Sequence, residues 1–572
     1  MVRGGIYPRK VGREHLELTV VRRGLARVLS AAVSVEERLL PAVRGATTPG
    51  RLMRIGRWLQ VHMTDEVWIA AVATILSIAF YAWYDAHGLT SAFNDARIRE
   101  LISRRMVVSR TPGLAQLGTT WLPLPSLLTV PFIWNDTLFR DGIASSLPSM
   151  LAFVIASVYL YRIGRLVTSS RGAGYVAAAV LMLNPSLLYM QSTAMSETLS
   201  IAAFVVSIYY ALRLTRTFYA TDVVKCAAAV AAGTLIRYEN WAIAIALLPL
   251  LAYAGWRHRG YVMAEAWTIL FSLLAFAGCV AWVIYNAVLF HDPLLSFFYG
   301  QTSHTVYANA PNSLLPARHQ PWLTSAMYGY TVGRTVGWPL LVLAVLGLIA
   351  FIWHARARVN MLPAYVTLVP FGFYWIVLYL GFNAEVLPQF GQGQAYNLRF
   401  GLMMIPAVAL FVACLTRAFP KVVRPAIVAA TLVVITLSGV LGSVGQTPYV
   451  LQEALYGAGS GGRTTGQVEA QWFSSQYHGG NVLITYVNDS SMMYFMLTKY
   501  EVPDRALITD ANGAQFTDAL EDPPDHVTWI VMDSDASNGE SQIWASLHNR
   551  ADWRGHFTLR KSFGTMEIYE ID

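Results

Sequence analysis

Long apolar runs recur along most of the chain, and they constrain its fold more than any other feature. A helix needs roughly 20 apolar residues to cross the hydrocarbon core of a bilayer. Only 13% of the 572 residues are charged, whereas a soluble domain averages about 25%. The sequence therefore predicts a polytopic α-helical membrane protein. The runs indicate about 11 transmembrane helices, near residues 67–85, 143–165, 172–189, 198–213, 222–236, 240–255, 264–289, 333–354, 360–381, 400–416 and 423–443.

The basic residues predict the orientation in the membrane. Arginines and lysines crowd residues 1–66, and further basic clusters lie at 162–171, 213–225, 257–259, 356–358 and 417–424. Loops rich in Lys and Arg stay in the cytoplasm. We therefore expect a multi-pass protein of the plasma membrane whose N-terminus is cytoplasmic. Residues 1–66 are expected to be a basic segment with an amphipathic helix at Leu16–Leu40 on the inner leaflet.

The C-terminal part of the chain is predicted to be a separate domain. A Gly/Ser-rich linker at 457–462 comes after the last apolar run, and the odd number of spans places the residues beyond that run outside the cell. We expect a transmembrane domain at 67–446 and a small extracytoplasmic α/β domain at 447–572. The patterns predict helices at 467–477 and 490–497, strands at 482–487 and 527–532, and a hairpin at 557–569 that turns at Gly564.

Ionisable and polar residues gather at the outer ends of the predicted spans. Ionisable groups at a membrane edge are candidates for function. The residues are Asp95, Glu197, Arg237, Glu239, His291, Tyr396 and Arg399. Structural alternatives stay open for several of them: Glu197 suits the first turn of a helix, Arg237 suits an ion pair with Glu239, and His291 suits an interfacial loop.

The first outer loop departs from the charge rule. It contains Arg97, Arg99, Arg104, Arg105 and Arg110 on the side that should be poor in basic residues. Either the basic N-terminal segment dominates the orientation and these arginines are tolerated, or they form an electropositive surface for phosphate, which guanidinium groups bind in a bidentate manner.

The order of short motifs resembles the polytopic glycosyltransferases of fold type C, in particular their protein-mannosyltransferase-like bacterial and archaeal branch. The resemblance covers residues 67–443. The motifs are Asn94-Asp95-Ala96, Arg104-Arg105, Thr111-Pro112-Gly113, Gln116-Leu117-Gly118, Trp121-Leu122-Pro123-Leu124-Pro125, Asn184-Pro185, Met195-Ser196-Glu197, Leu235-Ile236-Arg237-Tyr238-Glu239 and Tyr396-Asn397-Leu398-Arg399-Phe400 with Pro406.

Two departures from the family pattern limit what the resemblance implies. The family's Asp-Glu pair in the first loop is replaced by Asp95-Ala96, so one acid stands alone. The Trp-Trp-Asp signature of oligosaccharyltransferase catalytic subunits is missing, which argues against transfer of a whole glycan to asparagine.

The resemblance implies transfer of one sugar from a polyprenyl-phosphate donor to an acceptor hydroxyl on a glycan, lipid or protein. An acceptor hydroxyl needs a general base, and Asp95 is the candidate, with inversion in a single displacement. Arg399, followed by Arg237, is the candidate cation for the departing lipid phosphate. The other expected substrate-binding residues are Glu197, Glu239, Tyr396, Arg105, Trp121 and His291. We expect no cofactor and no nucleic-acid partner. No metal site is assigned, because the first loop offers a single acid, and a divalent metal stays open as the less favoured alternative.

Two other classes of protein remain as alternatives. A secondary transporter would show internal repeats and polar residues near the midplane, whereas the polar residues here lie at the outer ends of the spans. A non-enzymatic envelope assembly protein would act through its exported domain, whose acidic sequence shows no catalytic pattern.

Overall fold

The computed structural model describes residues 64–298, 315–355, 358–391, 395–444, 447–457, 462–485, 490–500, 502–534 and 541–572. The expected helix at Leu16–Leu40 lies outside these residues, as does the rest of the basic segment up to residue 63. Most of the linker at 457–462 also lies outside them.

The described residues between 64 and 457 are mainly helical. The helices are α1 (Asp65–Ala86), α2 (Asn94–Val108), α3 (Leu124–Ile133), α4 (Asp136–Arg140), α5 (Ile143–Thr168), α6 (Arg171–Met182), α7 (Pro185–Met190), α8 (Glu197–Thr217), α9 (Ala220–Thr234), α10 (Glu239–Arg259), α11 (Tyr261–Ala275), α12 (Ala277–Phe290), α13 (Leu295–Phe298), α14 (Pro321–Val336), α15 (Trp338–Ala355), α16 (Val369–Tyr379), α17 (Ile405–Leu415), α18 (Arg424–Val444) and α19 (Tyr449–Gly457). Short 3₁₀ segments occur at Leu114–Leu117, Val359–Leu368, Pro388–Phe390, Leu398–Met404 and Thr416–Ala418.

Fewer helices than predicted are long and apolar enough to cross a bilayer. Among the described residues six segments meet this condition: Asp65–Ala86, Ile143–Thr168, Glu197–Thr217, Tyr261–Phe290, Val359–Tyr379 and Leu398–Ala418. The pair α14 and α15, bent by 107° at Gly337, gives a seventh if it is one span. Helices occur at the other predicted positions, but α6 and α9 have only 12 and 15 residues. The polytopic helical fold is confirmed, and the number 11 is not.

Small residues let the membrane helices approach one another closely. Helices in lipid gain no hydrophobic free energy from association, so they depend on close van der Waals packing at small residues. A Cβ atom added to Gly347 of α15 would lie 1.8 Å from the carbonyl oxygen of Phe411 in α17. One added to Gly164 of α5 would lie 3.0 Å from the carbonyl oxygen of Ala173 in α6. The segment that contains α17 is enclosed by its neighbours, with 94% of its apolar window buried inside the protein.

The C-terminal domain is α/β, as the sequence predicts. Its strands are β1 (Val482–Leu483), β2 (Leu507–Ile508), β3 (Trp529–Asp533), β4 (Phe557–Phe563) and β5 (Met566–Ile571), and its helices are α20 (Gly462–Gln476), α21 (Ser490–Lys499), α22 (Ala514–Glu521), α23 (Pro523–His526) and α24 (Gln542–Leu547). The strand order is β2-β1-β3-β5-β4, with β1 parallel to β2 and β3 and an antiparallel terminal hairpin. Alternate residues of β3 enter two separate hydrophobic clusters, so both faces of the sheet are covered.

This domain sits on α2, which the sequence predicts only as part of an outer loop. Leu101 of α2 belongs to the same buried cluster as Phe473 and Leu497 of the C-terminal domain, while Ala96 belongs to the cluster of the membrane helices. Because α2 is buried on two sides, its apolar residues do not form a single stripe. The sequence therefore lacks the 3.6-residue apolar period by which a helix is predicted.

Polar contacts fasten the same junction. The ammonium nitrogen of Lys499 lies 2.5 Å from Oε1 of Glu100, and Nη2 of Arg104 lies 3.0 Å from Oδ2 of Asp504. Nη1 of Arg110 donates to Oδ1 of Asn481 at 2.8 Å. The C-terminal domain thus holds the helix that comes after the first span.

Candidate active site

Three carboxylates begin three helices that converge at one end of the membrane helices. Asp95, Glu197 and Glu239 lie in the first turns of α2, α8 and α10. The N-terminus of a helix carries a partial positive charge and stabilises a carboxylate there. The other ends of these helices lie at the opposite side of the bundle. There Arg216 and Arg417 donate to the carbonyl oxygens of Leu166 and Val167.

Arg237 joins two of these carboxylates. Its Nη1 lies 2.8 Å from Oε1 of Glu197, and its Nε lies 2.5 Å from Oε1 of Glu239. A third donor, Nη2, reaches the hydroxyl of Tyr374 at 3.1 Å. Both carboxylates are buried. The ion pair between Arg237 and Glu239 that the sequence left open is therefore present, and Glu197 shares it.

Arg399 lies at the centre of the cluster. Its Nη2 lies 2.7 Å from Oδ2 of Asp95, its Nε lies 3.5 Å from Oε1 of Glu197, and its Nη1 lies 3.8 Å from Oε1 of Glu453. The guanidinium group also faces the ring of Phe93 at 5.5 Å. Only 8% of Arg399 is exposed, so a charge that is costly to bury is surrounded by carboxyl groups.

Asn397 holds the side chain of Arg399 in position. It adopts a left-handed backbone conformation with φ of 60°, which asparagine tolerates better than most residues. Its Nδ2 donates to the carbonyl oxygen of Ala384 at 2.7 Å and to Oδ1 of Asn383 at 3.0 Å, and its Oδ1 accepts from Arg399 at 3.1 Å. The side chain of Asn397 thus holds both the loop and the arginine.

Asp95 is the most exposed of the carboxylates that contact Arg399 or Arg237. Its side chain is 30% exposed, against 1% for Glu197, 3% for Glu239 and 5% for Glu453. Burial raises the pKa of Asp95, but the guanidinium groups of Arg399 and Arg99 together lower it further, below its ordinary value. Asp95 is therefore ionised at neutral pH and able to accept a proton.

Arg99 also lies beside the cluster, although none of the family motifs contains it. It lies one helical turn after Asp95 in α2 and is 7% exposed. Its guanidinium carbon lies 4.5 Å from the ring centre of Trp121. Among the described residues its Nε and Nη1 have no hydrogen-bond acceptor. Burial lowers the pKa of Arg99 to about 10, so the group stays charged at neutral pH.

Two further carboxyl groups lie at the site without a signal in the sequence motifs. Glu453 belongs to α19, which packs with the membrane helices through Val450 and Leu451 although it lies beyond the predicted boundary at 446. Glu385 lies in the loop after α16. Both are buried. Burial raises the pKa of Glu385 to about 8 and that of Glu453 to about 7.

The remaining predicted residues lie at the edge of the cluster or away from it. Tyr396 is partly exposed and pairs through its backbone with Val386. Arg105 contacts the phenol of Tyr494 in the C-terminal domain; burial raises the pKa of that phenol to about 12, and Arg105 opposes the shift in part. Trp121 packs against Arg99. His291 is exposed at the end of α12, and none of the described contacts joins it to the cluster. Substrate binding by these residues stays a prediction.

Comparisons with known proteins identify the fold of the chain. Residues 138–285 match the family model of the dolichyl-phosphate-mannose-protein mannosyltransferases, a stretch that includes Glu197, Arg237 and Glu239. The crystal structure of ArnT from Cupriavidus metallidurans bound to undecaprenyl phosphate aligns with 88% of this chain and 98% of its own, at 11% identity and a TM-score of 0.50. The chain therefore shares the fold of ArnT. The resemblance to fold type C glycosyltransferases is confirmed at the level of the fold.

A second solved structure aligns less well. The archaeal oligosaccharyltransferase AglB from Archaeoglobus fulgidus, in complex with an inhibitory peptide and a dolichol-phosphate, covers 84% of this chain and 70% of its own at 12% identity. Its TM-score is 0.46. A comparison with curated proteins finds no match.

Proposed function

We propose that this chain transfers a single hexose or pentose from a polyprenyl-phosphate donor to an acceptor hydroxyl at the outer face of the membrane. The observation that carries the proposal is the pairing of a reachable carboxylate, Asp95, with the buried Arg399 at 2.7 Å. The ArnT fold and the match to the mannosyltransferase family model support the same class of reaction. The acceptor is a hydroxyl of a glycan, a lipid or a protein.

In the proposed reaction Asp95 takes the proton of the acceptor hydroxyl as its oxygen attacks the anomeric carbon of the donor. The bond from that carbon to the phosphate oxygen breaks, and the lipid phosphate leaves with the electron pair. Arg399 stabilises the charge that develops on the departing phosphate. One displacement inverts the anomeric configuration, and no further carboxylate is needed.

The contact between Asp95 and Arg399 gives the donor a means of activating the base. While the two groups are paired, the arginine lowers the pKa of Asp95 and weakens it as a base. A phosphate that binds Arg399 competes for the same guanidinium group and adds a negative charge. Both effects raise the pKa of Asp95, so the base strengthens when the donor is present.

Arg99 is the second cation in this proposal. Its unpartnered nitrogen atoms and its position one turn from Asp95 suit it to the same lipid phosphate. Arg237, by contrast, is already occupied by Glu197 and Glu239. We therefore assign Arg237 and Glu239 to the support of Glu197, which orients Arg399 or binds sugar hydroxyls.

The proposed location of the site at the outer face rests on the distribution of basic residues between the two ends of the membrane helices. The basic residues Arg216 and Arg417 lie at the end opposite the cluster, and basic ends face the cytoplasm. The cluster and the C-terminal domain on α2 then face outward. At the outer leaflet a lipid-linked sugar is a suitable activated donor, because nucleotide sugars are confined to the cytoplasm.

Transfer can be measured with the purified protein in liposomes. Polyprenyl phosphates that carry radiolabelled mannose, glucose or arabinose serve as donors, and cell envelopes from a strain without this chain serve as the acceptor source. We expect one donor to release polyprenyl phosphate and to label the envelope, with Asp95→Asn inactive and the exposed Asp141→Asn active as the matched control. An EDTA arm tests the expected independence of a metal.

The same experiment separates the alternatives. A transporter would move the labelled lipid or sugar across the liposome membrane without forming a labelled product. An assembly protein would bind envelope components without turning over any donor. Either outcome would contradict the proposed transfer.

A further inference from the structure

Five buried oxygen atoms near the site make no hydrogen bond of normal geometry among the described residues. They are both carboxyl oxygens of Glu385, Oε2 of Glu453, and the hydroxyls of Thr331 and Tyr449. All four residues are at most 5% exposed. Buried polar atoms are nearly always satisfied in folded proteins, so a group of five requires an explanation.

The four residues come from three separate parts of the chain and act on one another. Thr331 lies in α14, Glu385 in the loop after α16, and Tyr449 and Glu453 in α19. Burial and the charge of Glu453 raise the pKa of Glu385, and the Thr331 side chain interacts with both Glu385 and Tyr449 and partly offsets the effect of burial on each pKa. The ring of Tyr330, next to Thr331 in α14, lies 6.5 Å from the ring of Tyr449 in α19. These groups therefore converge on one place rather than being scattered through the core.

The place is next to the proposed phosphate position. Glu453 lies 3.8 Å from Nη1 of Arg399. In a polyprenyl-phosphate donor the sugar is joined directly to the phosphate. The sugar of a donor whose phosphate contacts Arg399 therefore lies within reach of Glu453 and of the groups behind it.

We propose that Glu385, Glu453, Thr331 and Tyr449 form the subsite that binds the hydroxyl groups of the donor sugar. This assignment rests on the proposed function. It favours an uncharged, hydroxyl-rich sugar. Burial raises the pKa of Glu385 to about 8, so at neutral pH its carboxyl group is largely protonated. A protonated carboxyl group offers one donor and one acceptor, as does each hydroxyl of a sugar.

The test compares the binding of polyprenyl phosphate with and without a sugar. The probes are polyprenyl phosphate alone and the same lipid phosphate carrying mannose, glucose or arabinose. We expect the wild-type protein to bind one sugar-bearing lipid at least tenfold more tightly than the bare lipid. Glu385→Leu and Thr331→Val should each remove most of that gain and leave the affinity for the bare lipid within about twofold. Glu469→Gln, a buried carboxyl of the C-terminal domain, is the control and should leave both affinities unchanged.

The stability of the empty protein provides a second measurement. Glu385→Leu removes a buried carboxyl group that makes no hydrogen bond of normal geometry, so its melting temperature should equal or exceed that of the wild type; a clear decrease would indicate a structural role and overturn the proposal. Equal loss of affinity for bare and sugar-bearing lipid, no gain from any sugar, or a gain that requires Mg²⁺ would also overturn it. If the bare lipid does not bind and no donor turns over, the proposed function fails as well; if only the gain from sugar is missing, the subsite alone fails.

Discussion

Replacing Lys499 with methionine should loosen the helix that carries the proposed base. Lys499 and Glu100 are 13% and 4% exposed, and their charged atoms lie 2.5 Å apart. Removing one partner of a buried ion pair costs about 3–5 kcal/mol, because the other charge remains buried. Methionine keeps the apolar stem against the ring of Phe139, which Lys499 covers at 3.9 Å. The expected loss therefore comes from the charge rather than from packing.

The loss should depend on pH. Burial raises the pKa of Glu100, and Lys499 opposes that shift. Without the lysine the pKa in the folded state rises further, so the folded variant takes up a proton that the unfolded chain releases above about pH 4.3. A raised pKa gives stability that is present below the unfolded pKa and lost as pH rises. The variant should therefore approach the wild type near pH 5 and differ most near pH 8.

Thermal unfolding of the protein in detergent at pH 5 and pH 8 measures this effect. The double variant Glu100→Gln with Lys499→Met should lose less than the sum of the two single changes, with a coupling of about 2 kcal/mol or more. Lys561→Met, at an exposed lysine of β4, is the control and should change little. Because α2 also carries Asp95, the rate of transfer should fall with Lys499→Met even for a small soluble acceptor. A pH-independent loss, or strict additivity of the two changes, would refute the reasoning.

Four further results are expected. Asp95→Asn should reduce the initial rate of transfer by about 10²-fold or more in a protein that still folds, because the amide cannot accept the proton; near-normal transfer would exclude Asp95 as the base. Arg399→Ala should weaken the binding of polyprenyl phosphate in a titration, and Arg399→Lys should restore it only in part because the bidentate fork is lost. Arg99→Met should weaken the same binding about tenfold or more, whereas Arg97→Gln on the same helix, whose donors already reach Ser91 and Asn94, should not. The empty protein should lose stability as pH rises from about 4.5 to about 8, and Glu385→Gln should flatten that part of the profile.

Much of the site is predictable from the sequence because topology alone brings its members together. Glu197 and Arg237 are 40 residues apart, and Arg399 is 304 residues from Asp95. Placing every polar span end on one side of the membrane nevertheless predicts their meeting. The break at Asn184-Pro185 is likewise predictable, since Asn184 caps the helix that begins at Pro185 and separates α6 from α7.

The parts that could not be predicted depend on tertiary contacts. In the first outer loop the sequence leaves the arginines either tolerated or phosphate-binding, because it does not show that residues 94–108 are helical. Once they are, Asp95 and Arg99 share one face, while Arg104 turns to Asp504 of the C-terminal domain. Glu453 could not be assigned either, because a helix beyond the last apolar run is expected to belong to the exported domain.

A structure with bound polyprenyl phosphate tests the central claim most directly. The distance to measure is that between Oδ2 of Asp95 and Nη2 of Arg399, which is 2.7 Å in the present structure. We predict that a phosphate oxygen contacts Arg399 and Arg99 and that the Asp95 carboxylate turns away from Arg399 toward the acceptor side. A bound lipid phosphate that leaves Arg399 paired only with protein carboxylates would contradict the account.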